Sequence, residues 1–454
     1  MQNTSQAASN RFLSGPILPP LIRFALPLML SLFLQAFYGG VDLAVVGQYS
    51  PTGSVSAVAT GSQVMYAITS LITGLTMGVT VLLGKSMGAD DPKTAGQVVA
   101  GQIRLFTVMA VLLTVIMLLF TPQIAYLLHV PEEALSETIR YIRICSAGII
   151  FIAAYNGISG IFRGIGNSRS PFLFVSIACF INVVLDLLFV GIFDMDASGA
   201  ALATVIAQAV SVVFSIGYIY KHPLPFSIAQ QWHEKGNAVR KILKIGSPIA
   251  LQDFLTTLSF LIITGIINTL GVVASAGVGI SEKLFVFLSI VPMSFMSALS
   301  TFVAQNMGAG NLKRAEKATF LAQGISACFC VLIFFMTFFG GSILASIFNH
   351  DAEVLTAAAL YLKGCSFEYL ILPFTCCFLG YFNGREHTAF VMIQGLLSAF
   401  LVRIPLSSYL SSLPETTMTL ISLAVPLSAL ASLVMCVSYF LWLRHKDNTR
   451  IPLP

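Results

Sequence analysis

Charge is scarce in this chain: Asp, Glu, Lys and Arg make up 9% of its 454 residues, where a soluble domain carries about 25%. Apolar residues make up 56%, and the mean hydropathy is +0.87. That balance excludes a soluble globular domain and reads as a polytopic membrane protein. Metal-type motifs are also missing. The eight cysteines (Cys145, Cys179, Cys328, Cys330, Cys365, Cys376, Cys377 and Cys436) lie in apolar segments without a C-x-x-C pair or a neighbouring His cluster, and read as small core residues. The six histidines (His129, His222, His233, His350, His387 and His445) fall in or near predicted loops, so an intramembrane enzyme lacks its base and no catalytic residue or cofactor is expected. A concentrated basic surface is missing as well: the net charge of +5 comes from short loops and ends, and nucleic acid is not an expected partner. A cleavable signal is not expected either, because the first sixteen residues are polar and the apolar run from Leu18 is too long for a signal core.

What the chain does have is twelve apolar runs, each long enough for a hydrocarbon core of roughly 30 Å. They include continuous spans over 138–162, 273–304, 388–412 and 417–444. Basic residues from Arg11 through Lys85, Arg163, Lys235 and Lys313 to Arg444 and Arg450 keep to the ends and the even-to-odd loops. The opposite loops carry Glu132, Glu133, Asp194, Asp196, Asp351, Glu353 and Glu415. By the positive-inside rule both termini are cytoplasmic, and the expected location is the cytoplasmic membrane, spanned many times.

The chain also repeats itself at an offset of about 220 residues. GKSMGADDPKTA at Gly84 to Ala95 recurs as AQNMGAGNLKRA at Ala304 to Ala315, YIRIC at Tyr141 as YLKGC at Tyr361, and FRG at Phe162 as FNG at Phe382. Six spans per copy give both copies one orientation, so the repeat is parallel. The expected fold is an all-α membrane protein of twelve transmembrane helices in two six-helix lobes related by a parallel internal repeat. The divisions are a cytoplasmic segment over 1–17, an N-lobe over 18–220, a cytoplasmic linker over 221–241, a C-lobe over 242–444 and a cytoplasmic tail over 445–454.

Within the first span Gln35, Tyr38 and Asp42 recur at helical spacing, a polar stripe on an apolar helix. An Asp at the centre of a spanning helix costs about 2.5 to 3.5 kcal/mol, so it faces a partner or a cavity. Asn182 and Asp186, four apart in the fifth span, share a face and are the natural partners. At 1.5 Å per residue Asp186 and Thr204 both fall roughly 22 Å above the inner boundary, and Asp42 roughly 27 Å before tilt. Two carboxylates, an amide and a hydroxyl without a cation suit a small hard cation such as Na+, or protons. The alternative is structural: Asp186 capping a distorted helix and Asn182 packing against another span. In the second lobe Asp253, Glu282, Lys283, Glu368 and Arg403 fall inside predicted spans, and either pair with one another or contact substrate.

Together these residues resemble the multidrug and toxic compound extrusion (MATE) family over essentially the whole chain. The carriers are Pro27, Gln35, Asp42 and Gly47, the MGA turns at Met87 and Met307, FRGIGNS at Phe162, Asn182 with Asp186, and SGAALAT ending at Thr204. The resemblance implies a secondary antiporter that exports cationic or amphipathic small molecules in exchange for Na+ or protons by alternating access, and a monomer is expected. It makes Asp42, Asn182, Asp186 and Thr204 the cation site, and the metal site if the ion is Na+. It adds Gln35 and Asn156 to the drug-facing cavity, beside Tyr38 and the acidic Asp253, Glu282 and Glu368. A branch of the family uses acids in the seventh and tenth spans, where this chain has Thr256 and Leu372. The resemblance is therefore nearer the branches with an N-lobe cation site. A lipid-linked oligosaccharide flippase of related architecture is the alternative.

Overall fold

The computed structural model describes residues 12–128, 130–232 and 236–450. Arg11, His129, His233, Lys235 and the side chain of Arg450 lie outside the described residues. Long helices make up the first half: α1 (Leu18–Tyr49), α2 (Thr52–Gly88), α3 (Pro92–Leu127), α4 (Glu132–Ala147), α5 (Ile149–Gly164), α6 (Arg169–Phe189) and α7 (Asp196–Lys221). The second half comprises α8 (Ala238–Asn268), α9 (Val272–Leu288), α10 (Ile290–Gly308), α11 (Leu312–Ala345), α12 (Ala352–Gly384), α13 (Thr388–Leu396), α14 (Ile404–Ser411), α15 (Met418–Ser422) and α16 (Ala424–Arg450). A π-helical segment, Leu397–Arg403, joins α13 to α14. Among the described residues ten helices or helix runs are long and apolar enough to cross a membrane, and counting two bent pairs as one span each gives twelve.

Four of the predicted runs depart from a continuous α-helix, each for a local reason. The run over 138–162 bends by 48° at Gly148, where a Cβ would come within 2.6 Å of Val205, so the close approach of α7 requires glycine there. The run over 273–304 bends by 44° at Ser289. Pro292 supplies no N–H to the carbonyl of Leu288, and its ring crowds that carbonyl. Pro426 acts in the same way on Ser422, and the run over 417–444 breaks at Leu423 between α15 and α16. Pro405 crowds Leu401, and there the chain answers with the wide π turn rather than a break.

The chain divides into two compact units. One holds Leu26–Ala250 with Gly308–Gly310; the other holds Leu251–Met307 and the chain from Asn311 onward, with Pro16–Ala25. The boundaries in α1 and α8 thus fall within three residues of Pro27 and Pro248, the prolines inside those helices. In the first unit the core is built from Val45, Val46, Ile72, Tyr141, Ile149 and Val190 at one level and Leu83, Phe162, Phe174 and Ile242 at another. The segment after α7 belongs to this unit: Phe226 is buried, and Arg104 donates to the Trp232 carbonyl and lies over its ring.

The internal repeat is visible in the backbone of both units. Asp90 and Gly310 take positive φ (52° and 75°) in corresponding turns, and so do Gly166 and Glu386 (87° and 65°). Gly160 and Gly164 let α5 lie against Thr76 and Leu83 of α2, and Gly380 and Gly384 let α12 lie against Leu299 and Val303 of α10. Small residues at these crossings replace the hydrophobic drive that lipid cannot supply. Seven cysteines are buried and free, as packing residues should be, but Cys328 is exposed, a correction to its core assignment. His445 lies inside α16 rather than in a loop.

Candidate functional site in the first repeat

The local sequence sets the register of the helices that carry the site. The FRGIGNS turn reverses the chain at Gly166, and Asn167 Oδ1 accepts from the amides of Arg169 and Ser170 at 3.0 and 3.1 Å. That cap starts α6, and Asn182 and Asp186 follow on one face three and four turns later. α7 opens with Ala197, Gly199, Ala200, Ala201 and Ala203, all buried, which lets its backbone approach α6. Ser211 Oγ donates to the Phe174 carbonyl at 2.9 Å and fixes the pairing. Thr204 is thereby delivered to Asn182.

The four residues converge. Asn182 Nδ2 donates to Thr204 Oγ1 at 3.4 Å, and Thr204 Oγ1 donates to Asp42 Oδ2 at 3.5 Å. The carboxylates of Asp42 and Asp186 lie within electrostatic range of each other. Relative exposure is 7% for Asp42, 2% for Asn182 and 0% for Asp186, so water does not screen the pair. Asp42 Oδ1, Asn182 Oδ1 and both Asp186 oxygens find no donor in the protein. Buried oxygens of this kind are normally satisfied, because leaving one bare costs about 1 to 3 kcal/mol, more when charged. Asp186 therefore does not serve as a helix cap. An oxygen-only donor set of this kind suits a small hard cation such as Na+, and a proton shared by the two carboxylates relieves part of the same cost. Among the described residues no group of three or more His, Cys, Asp or Glu is placed to hold a metal ion, which a transition-metal site would require.

The polar stripe of α1 continues from this cluster. Tyr38 lies beside Asp42, Tyr155, Cys179 and Gln208, and Gln35 reaches Tyr155. The amide of Asn156 donates to the Ile152 carbonyl of its own helix at 2.9 Å. Three neighbours escaped the sequence reading. Gln208 is one helical turn beyond Thr204, so the same spacing argument reaches it. Tyr141, bonded to Ser62 at 3.1 Å, and Cys145 feel the charge of Asp42, although YIRIC was read only as a repeat marker.

Of the five charged residues predicted inside the second lobe's spans, two form a pair and three stand apart. Glu368 pairs with Arg403 at 3.9 Å, and Arg403 Nε donates to Ser428 Oγ at 2.9 Å. Glu282 accepts from Thr264 Oγ1 at 3.3 Å. Lys283 is exposed, and Asp253 is half-buried without a basic partner among the described residues. The ion-pair alternative therefore describes Glu368, but not Asp253 or Glu282.

The MatE family model matches the chain twice, over residues 27–188 and 248–409. The probable multidrug resistance protein YpnP of Bacillus subtilis is 27% identical over 404 residues, covering 88% of this chain and 90% of that protein. The multidrug export protein MepA of Staphylococcus aureus is 23% identical over 437 residues, 95% of each. Among solved structures, a MATE transporter in complex with MaL6 superposes with a TM-score of 0.90 at 19% identity over 97% of this chain and 98% of that one. An outward-facing multidrug resistance MATE transporter of the MOP superfamily gives 0.88 at 21% identity over the same shares. The twofold match of the family model and the shared two-lobe fold agree with the repeat, and the chain belongs to the MATE family of membrane transporters, which are not enzymes.

Proposed function

We propose that this chain is a secondary antiporter that exports cationic or amphipathic small molecules from the cell in exchange for Na+ or protons. The observation that carries the reading is the set of four donorless oxygens on Asp42, Asn182 and Asp186, buried beside Thr204. Such a set is costly when bare and is relieved by the arriving ion. Binding there and binding of drug favour different conformations, and exchange follows by alternating access between them. The names of YpnP and MepA support drugs as the exported class. The stripe of Gln35, Tyr38 and Tyr155 offers an amphipathic lining for such molecules. The charge distribution supports a cytoplasmic side for both termini. The divisions at 18–220 and 242–444 are the two moving repeats, with Asp42, Asn182, Asp186 and Thr204 as the coupling site in the first.

The test is efflux of a fluorescent cationic dye from proteoliposomes under a Na+ gradient and a pH gradient imposed separately. Efflux driven by one of them supports the reading and names the ion. Efflux indifferent to both refutes it.

A further inference from the structure

The second repeat contains the counterpart of the coupling cluster, and its chemistry is inverted. In the middle of the chain the repeats correspond at one spacing: the positive-φ positions pair as Asp90 with Gly310 and Gly166 with Glu386. The family model's two copies, 27–188 and 248–409, both begin and end one residue further apart than that spacing. The extra residue lies between Glu386 and position 409, and the π segment Leu397–Arg403 is there. A π turn is a one-residue insertion within a helix. Past it, Arg403 comes into register with Asn182, Ser407 with Asp186, and, at the spacing of the family match, Ile263 with Asp42.

The packing agrees with this register. Ile263 is buried against Tyr361, Cys365 and Val425. The repeat partners of that tyrosine and cysteine, Tyr141 and Cys145, are the ones that feel Asp42. Both carboxylates of the first cluster are thus replaced by uncharged residues, and its amide by a guanidinium. Arg403 is held by Glu368 at 3.9 Å and Ser428 at 2.9 Å, with its guanidinium carbon 5.0 Å from the Phe260 ring centroid. Glu368 stands opposite Gly148 of the first repeat, so the acid is supplied from α12 to meet a cation that the first repeat does not have.

We propose that Arg403 is a tethered cation that permanently fills the second repeat's counterpart of the coupling site, so that Glu368 takes up no transported ion and coupling is confined to the first repeat. The π turn forced by Pro405 places it there. This inference rests on the ion-coupled reading above.

The experiment measures cations exchanged per dye molecule in proteoliposomes, from the dye gradient that just balances an imposed tenfold cation gradient, for Na+ and for protons separately. Arg403→Asn restores the first repeat's residue and frees Glu368. It is expected to gain one cation per dye, which raises the balancing dye gradient tenfold, and Arg403→Asn with Glu368→Gln returns it to the wild-type value. Glu368→Gln alone, read on whatever fraction is monodisperse, leaves the ratio at wild type, and this arm decides if Arg403→Asn fails to fold. A folded Arg403→Asn protein with an unchanged ratio overturns the proposal, as does a lower ratio in Glu368→Gln. A wild type that neither gradient drives refutes the coupling reading itself, an outcome separate from either of these.

Discussion

Asp42→Asn separates ion coupling from folding. The substitution keeps the size of the side chain, and its amide oxygen still accepts the hydrogen bond from Thr204. It removes one of two carboxylates that share the buried cluster with no basic residue bonded to either. The loss of charge relieves the mutual repulsion with Asp186, so the protein folds at least as stably as wild type. Transport responds differently. One monovalent cation moving inward through 100 mV releases about 2.3 kcal/mol, enough to hold a neutral dye at about a 50-fold gradient when the exchange is one for one. With Asp42→Asn the cluster no longer binds the driving ion, and the dye gradient collapses to about 1 while downhill dye exchange persists. The assay is steady-state dye distribution across proteoliposomes at a clamped potential, with thermal stability of the same preparations alongside. A variant that keeps the full gradient refutes the assignment of Asp42. A variant that loses both the gradient and several degrees of thermal midpoint makes the carboxylate structural.

Three further outcomes follow from the same geometry. Thr204→Val removes a ligand that contacts the charged cluster and leaves its shape, so the half-saturating ion concentration for dye efflux rises about tenfold with little change in maximal rate. Gly61→Ala puts a Cβ 2.2 Å from the Tyr141 ring, displaces the Tyr141 to Ser62 bond, and lowers the thermal midpoint by a few degrees, as overpacking of about 1 to 3 kcal/mol does. In the turn before α3, the Asp91 carboxylate accepts from the amide of Thr94 at 3.0 Å, and hydrogen bonds from Thr94 hold its pKa below the usual carboxylate range. The cap contribution is thus fully present above the unfolded value of about 3.9, and falls away as pH drops through the lower folded value. Asp91→Ala costs about 1 kcal/mol at neutral pH in thermal unfolding, and the difference from wild type vanishes in acid.

The buried cluster of Asp42, Asn182, Asp186 and Thr204 was legible because helical spacing and depth are both properties of the sequence. Asn182 and Asp186 share a face by their separation alone, and counting residues puts Thr204 and Asp42 at a similar height. Which helices touch is a different kind of information, since periodicity names the face of a helix and not its neighbour. Tyr141 and Cys145 were visible as a repeated motif and yet not as neighbours of Asp42. The breaks at Ser289 and Leu423 follow from Pro292 and Pro426, whose effect on the carbonyl four residues back is predictable. Proline inside a span is also tolerated, as Pro27 and Pro248 show in α1 and α8, so the sequence does not say which proline breaks its helix. The register of Arg403 was hidden for a related reason. Motif matching finds the repeat at one offset, whereas the π turn shifts that offset by one residue inside a helix that looks uninterrupted.

Ion exchange is most directly tested in reverse. Proteoliposomes loaded with dye, with Na+ and pH equal on both sides and the potential clamped at zero, are diluted into dye-free medium, and luminal Na+ and pH are followed. The account predicts that dye efflux alone drives one of these cations inward, with a rise in luminal Na+ or a fall in luminal pH that is lost with Asp42→Asn. Dye efflux by wild type that moves neither cation contradicts it.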